Sequence, residues 1–273
     1  MLEIMLPAFL ISLILIGIHS YLGLHIIARG VIFVDLSLAQ IAACGAIFGV
    51  LLGYELHTTA SYIISMSFTF IGALIFAFSR AKKHREIPQE AVIGIVYVVS
   101  TAISVLILDR LPSEAEHLKE MLVGNILFVS KAQVIKTALL YAVIGGIHYI
   151  FREKFLMISF EPEKAEKELN VKFWDFIFYA LFGVVVTSSV ELAGVFLVFT
   201  FLIIPAVMAV LSASTLNGRI IFSWVSGVAI MMSGLLLSAK MDTPTGATII
   251  GVFGLALPLL WLLKTFLKSP SAD

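Results

Sequence analysis

Charge is what this sequence has least of. Only 13% of its 273 residues are Asp, Glu, Lys or Arg and 60% are hydrophobic, where a soluble domain is about a quarter charged. Water cannot be the only solvent for such a chain. The 18 basic and 18 acidic residues cancel, so net charge gives no argument for nucleic acid or for an acidic partner. A single cysteine, Cys44, sits in an apolar run; it cannot form an internal disulfide and reads as a small buried residue. The chain lacks a Gly-x-x-x-x-Gly-Lys-Ser/Thr phosphate loop, so it is not expected to hydrolyse ATP itself. It also lacks His-Glu-x-x-His and any Cys-rich metal cluster. No hydroxyl or imidazole constellation suggests an intramembrane enzyme. The absence of a strong internal repeat disfavours secondary transporters built from duplicated halves.

What is present is a series of long uncharged runs: 4–28, 36–54, 56–79, 91–108, 137–151, 176–190, 192–218, 220–239 and 243–263. A helix crosses the hydrocarbon core in roughly 20 residues, and backbone in lipid must satisfy its own hydrogen bonds. The expectation is an all-α polytopic membrane protein with about nine transmembrane helices, occupying 1–273 as a single domain. The runs at 137–151 and 176–190 are short unless flanking residues join them. The first run lacks a basic start and is too long for a cleavable signal, so it reads as a retained span.

Lys and Arg set the expected orientation. Arg29, the cluster Arg80–Lys82–Lys83–Arg85, Arg152 with Lys154, Lys164, Lys167 and Lys172, then Arg219, Lys264 and Lys268 all fall on one side of nine spans. The positive-inside rule makes that side cytoplasmic, with the N-terminus outside and the C-terminus cytoplasmic. The other side receives Glu55, the 109–120 loop, Glu191 and the 240–242 turn, with Lys131 and Lys136 as exceptions. Two connections are longer than the rest. Within 109–133, the stretch 118–128 could form a short re-entrant helix. Within 152–173, Pro162 followed by mixed charges reads either as a short surface helix or as a solvated loop.

An ionisable group inside a span costs several kcal/mol unless it meets a partner or a cavity. Asp35 stands out, with Gln40 deeper in the same run. Both could line a polar path for a cation. Residue chemistry alone favours a plainer role for Asp35, capping its helix or pairing with Arg29, while Gln40 could bond between helices. His19 and His25 read as interhelical donors. Outside, Glu55 and His57 flank one turn, and Glu116, His117 and Glu120 share a helical spacing that suits a divalent metal; exposed Glu and His are common enough that neither is expected to be a tight site. Glu191 and Asp242 mark outer helix ends, either as a receiving mouth or as solvated termini.

The segment Gly194-Val195-Phe196-Leu197-Val198-Phe199-Thr200-Phe201-Leu202-Ile203-Ile204-Pro205-Ala206 resembles the signature of zinc/manganese-type ABC importer permeases. So do Gly234-Leu235-Leu236-Leu237-Ser238, Asp242-Thr243-Pro244-Thr245-Gly246-Ala247-Thr248, Leu122-Val123-Gly124-Asn125-Ile126-Leu127 and Phe160-Glu161-Pro162-Glu163-Lys164-Ala165. Residues 29–45 are similar, without gaps, to the family's Arg-x-x-x-Phe-x-Gly-Asp-x-x-x-His stretch. In that register Leu36 replaces the family's Asp, Gln40 its His, and Asp35 its Gly. A carboxylate moved by one position turns about 100° around a helix, so Asp35 is no simple substitute for the lost member of the metal-handling pair.

The resemblance implies a membrane permease subunit of an ATP-driven importer for zinc, manganese or iron in a bacterial or archaeal plasma membrane. Its implied partners are a second copy of itself, two cytoplasmic ABC ATPases and an extracellular or periplasmic metal-binding protein. The divalent metal would be cargo, with no resident cofactor. Pro205 is expected to break its helix, making the segment through Ser212, Asn217 and Gly218 the contact with the ATPase. A siderophore- or cobalamin-type chelate permease is the nearer alternative, and a gradient-driven secondary transporter or a channel the more distant one.

Overall fold

The computed structural model describes residues 2–56, 58–80, 87–110 and 126–267. Among them the regular structure is helical: α1 (Leu2–Arg29), α2 (Val34–Leu51), α3 (Thr59–Ser79), α4 (Gln89–Leu108), α5 (Lys131–Ile150), α6 (Arg152–Phe160), α7 (Pro162–Glu168), α8 (Val171–Ala193), α9 (Val195–Ser212), α10 (Leu216–Met241) and α11 (Thr245–Leu267), with one 3-10 turn at Ile126–Phe128. Nine of these helices are long and apolar enough to cross a membrane, as the uncharged runs predict. His57, Lys82, Lys83, Arg85, Glu114, Glu116, His117, Lys119, Glu120 and Lys268 lie outside the described residues, as does all of the 118–128 stretch before Ile126.

The span boundaries move where a charge finds a local answer. α8 extends the short run 176–190 at both ends, taking in Lys172, Asp175 and Glu191. Asp175 can sit inside because two arginines neutralise it, and Lys172 reaches back over the Phe78 ring, 5.2 Å from its centroid. α5 likewise starts before the uncharged run. A capping box at Ser130 and Gln133 fixes its start, and Lys136 turns over the Tyr62 ring 6.0 Å away.

α1, α2, α8 and α9 form the inner layer, while α4 and α11 are the least buried spans. α1 packs on α9 and α10, α2 on α3 and α4, α3 on α8, and α10 on α11. Small residues permit the closest approaches. A Cβ at Gly23 would run into the Leu202 carbonyl of α9, and one at Gly234 would come 2.8 Å from the Ile249 Cα of α11. Phe76, Tyr179, Phe182, Phe201 and Phe253 fill the space between. The exposed faces of α3, α4 and α11 are apolar too, carrying Ile71, Ile95, Leu106 and Trp261; lipid, not water, suits them.

Pro205 does not break its helix. α9 runs unbroken from Val195 to Ser212 with Pro205 buried inside it. Pro205 packs toward Gly227 of α10, where a Cβ would meet its ring at 3.3 Å. Proline is tolerated in membrane helices because neighbours compensate the freed backbone group. No separate helix lies between Pro205 and Gly218. Ser212 ends α9, and Asn217 and Gly218 belong to the first turn of α10, which Thr215 caps by accepting from the Gly218 N–H. The short non-spanning helices are elsewhere, at α6 and α7, where 152–173 turns back from one end of the bundle. α7 realises the helix reading of 161–168, with Pro162 in its first turn.

Candidate functional site

Asp35 neither caps α2 nor pairs with Arg29. The residue at the cap position is Phe33, whose N–H is taken by Glu90 of α4 at 3.0 Å. Arg29 turns to α8 instead: its Nη1 donates to Asp175 Oδ1 at 2.8 Å. Asp35 is left 1% exposed, and neither carboxylate oxygen has a hydrogen-bond partner among the described residues. Most buried polar atoms in native proteins are satisfied, so such a pair of oxygens calls for an explanation.

Gln40 is also buried, and its Oε1 accepts weakly from Thr101 of α4 at 3.4 Å. Five residues on from Asp35, it lies about 140° around the helix, so the two do not share a face. Both side chains lie inside the subunit, so in this conformation neither is on a surface that a second copy could cover. His19 is an interhelical link, between the Leu15 carbonyl at 2.8 Å and Ser189 of α8 at 3.2 Å. His25 contacts Ser159 of α6 at 2.8 Å, while its Nε2 has no hydrogen-bond partner among the described residues.

Glu191 and Asp242 are both exposed at C-terminal helix ends, Glu191 in the last turn of α8 and Asp242 just after α10. Asp242 has a backbone role. It ends α10 in the left-handed conformation with φ 52°, which Asp tolerates better than most side chains. Ser238 then donates to the Thr243 carbonyl at 2.7 Å, and Thr243 meets Thr248 at 2.7 Å. Those bonds account for the hydroxyl-rich 238–248 motif. Glu55 is exposed, its carbonyl receiving the Thr58 hydroxyl. Among the described residues no group of three His, Cys, Asp or Glu could hold a metal.

Sequence reasoning missed the densest polar cluster. Asp175 is 1% exposed at its side chain and is shared by two arginines. Arg80 Nη1 donates to both its oxygens, at 3.0 and 2.9 Å. The same arginines reach the last turn of α6. Arg29 Nε donates to Ser159 Oγ at 2.9 Å, and Arg80 Nη2 to the Ile158 carbonyl at 3.2 Å. Arg29 also lies over the Phe178 ring, 3.7 Å from its centroid. The only available signal was an acidic residue at the edge of a run one turn too short, in a chain with basic residues at the same membrane face.

The sequence profile described as the ABC 3 transport family matches residues 1–264. The manganese transport system membrane protein MntC of Listeria monocytogenes is 28% identical over 88% of this chain and 84% of its own length. The high-affinity zinc uptake system membrane protein ZnuB of Haemophilus influenzae is 25% identical over 92% of this chain and 94% of its own. Among solved structures, PsaBC from Streptococcus pneumoniae in complex with Fab contains a chain that superposes with a TM-score of 0.77. It is 22% identical, with 94% of this chain and 91% of that one covered. At that identity the likeness is one of fold.

Proposed function

The chain belongs to the ABC 3 transport family, and from that premise we propose that it is the permease subunit of an ATP-driven importer of a divalent transition metal. Two copies form the transmembrane unit, two ABC ATPases bind its cytoplasmic face, and a metal-binding protein delivers cargo from outside. No nucleic acid is involved, and the membrane is a bacterial or archaeal plasma membrane. The observation that carries this reading is the family match along nearly the whole chain, on a bundle of nine apolar helices. The names of the Listeria and Haemophilus relatives put manganese, zinc and iron alike among the cargoes.

Passage between the two copies is the route the reading assigns. Asp35 takes part from inside the subunit, so the cation reaches it only when α2 shifts against its neighbours. A buried carboxylate with both oxygens free is a poor structural element and a good cation partner. Gln40, already engaged with Thr101, serves as a neutral neighbour of that path. The exposed helix ends at Glu191 and Asp242 form part of the outer surface where the binding protein docks.

The ATPases meet two elements at the basic end. One is the turn from Ser212 to Gly218, whose Ser214, Thr215 and Asn217 are exposed; Pro205 lies too deep for contact. The other is the α6–α7 pair, whose Glu161 and Lys164 side chains are 60% and 51% exposed. A helical hairpin outside the spans is the better lever of the two, because it can move as a body.

Reconstitution of the permease with its ATPase and binding protein tests the reading. ATP-dependent uptake of radioactive manganese or zinc into vesicles is the expected result; uptake driven by a gradient without ATPase would overturn it. A chelate importer is favoured by one observation, the Leu36 and Gln40 that stand where the family's Asp and His are expected. Uptake of chelated metal in preference to the free ion decides for it.

A further inference from the structure

We infer that Asp175 is a positioning residue for coupling: through Arg29 and Arg80 it fastens the α6–α7 hairpin to α1, α3 and α8, so that a push on the hairpin moves these spans together. The inference rests on the reading that an ATPase pushes there.

The geometry is specific. Three spans each contribute one charged group: Arg29 ends α1, Arg80 follows α3, and Asp175 lies in the second turn of α8. Among the described residues the hydrogen bonds to the Asp175 carboxylate come from the two arginines and not from α6. Asp175 holds both guanidiniums in place, and each guanidinium spends a second donor on α6, Arg29 on Ser159 and Arg80 on the Ile158 carbonyl. Guanidinium suits this role because its planar donors can serve two acceptors at once. His25 of α1 takes Ser159 from another side. Beneath this polar clasp, the fully buried Phe155 of α6 stacks on His148 of α5, ring centroids 4.4 Å apart, and meets Trp174 and Phe178 of α8 edge-on. α6 therefore cannot shift alone without breaking charge-assisted bonds from guanidiniums anchored on a carboxylate that is 1% exposed. α7 lies outside the clasp, with Ala165 buried and its charges facing out.

Of the five donor bonds that Arg29 and Arg80 make in this cluster, three hold Asp175 and two reach α6, a layout suited to transmitting force. Removing Asp175 frees the guanidiniums to turn away from α6, and the hairpin then moves without the spans.

The test is the ratio of metal imported to ATP hydrolysed in the reconstituted complex, with radioactive manganese as the probe. In Asp175→Asn and Arg80→Gln the ratio falls by about tenfold, the scale of an ordinary coupling free energy, while ATPase binding and hydrolysis continue. Asp175→Glu, which keeps the charge, restores part of it. Should Asp175→Asn fail to assemble, Arg80→Gln and Ser159→Ala carry the test, since each removes a contact to α6 and leaves Asp175 with a cation. Uptake and hydrolysis that fall in proportion, or a ratio equal to that of the unaltered protein, overturn the inference. Crosslinking the ATPase to Glu166→Cys in α7 tests the underlying reading separately: a working complex with no such crosslink removes the docking site, whatever the ratio does.

Discussion

Asp175 and Asp35 make an informative pair. Both are carboxylates buried to about 1% exposure, Asp35 in the first turn of α2 and Asp175 in the second turn of α8, helices that leave the same end of the bundle. Each has the favourable end of a helix dipole nearby. Their surroundings differ completely. Asp175 receives three hydrogen bonds from two guanidiniums, whereas Asp35 receives none from the described residues. Breaking a fully paired buried charge is strongly destabilising, whereas a buried carboxylate left unpaired itself costs stability. The architecture is organised around the first, and the function proposed here uses the second.

The difference can be broken by substitution. Asp175→Ala leaves two guanidiniums facing each other and is expected to cost about 3–5 kcal/mol, as for breaking a buried ion pair. Thermal melting of the detergent-purified subunit reads this as a large downward shift or as failure to accumulate. Asp35→Leu sharpens the contrast: no partner is orphaned, so melting is unchanged or slightly raised. If the two variants melt alike, the distinction between them is lost.

Packing supplies a control of intermediate size. Gly23→Ala forces α1 away from the Leu202 carbonyl of α9 and is expected to cost about 1–3 kcal/mol, the range for overpacking a tight site. Its melting shift should lie between those of Asp175→Ala and Asp35→Leu. The smallest loss is expected for Gln40→Leu, about 0.6 kcal/mol for one interhelical hydrogen bond in a membrane protein. A loss several times larger would mean that Gln40 holds α2 to α4 more firmly than its single 3.4 Å contact implies.

The sequence made the spans legible because lipid demands long apolar helices, and seven of the nine uncharged runs met that demand alone while 137–151 and 176–190 needed their charged flanks. It misplaced their ends where charge is cancelled from far away. Asp175 looked like a boundary because its partners, Arg29 and Arg80, lie 146 and 95 residues off along the chain. Asp35 looked like a partner for Arg29 because six residues is close in sequence. The fold gave that guanidinium to a different helix. Pro205 followed a rule drawn from soluble helices, which α9 does not obey inside the bundle. α6 was invisible because its mixed composition matches a loop, and only the aromatic packing of Phe155 shows why it is helical and fixed.

The most direct test is metal uptake by Asp35→Asn in the reconstituted complex, compared at equal amounts of folded permease. The account predicts that uptake is lost while melting temperature and ATPase binding stay at the level of the unaltered protein. Uptake that persists at the normal rate would contradict it, and Asp35 would then be a buried charge with no part in transport.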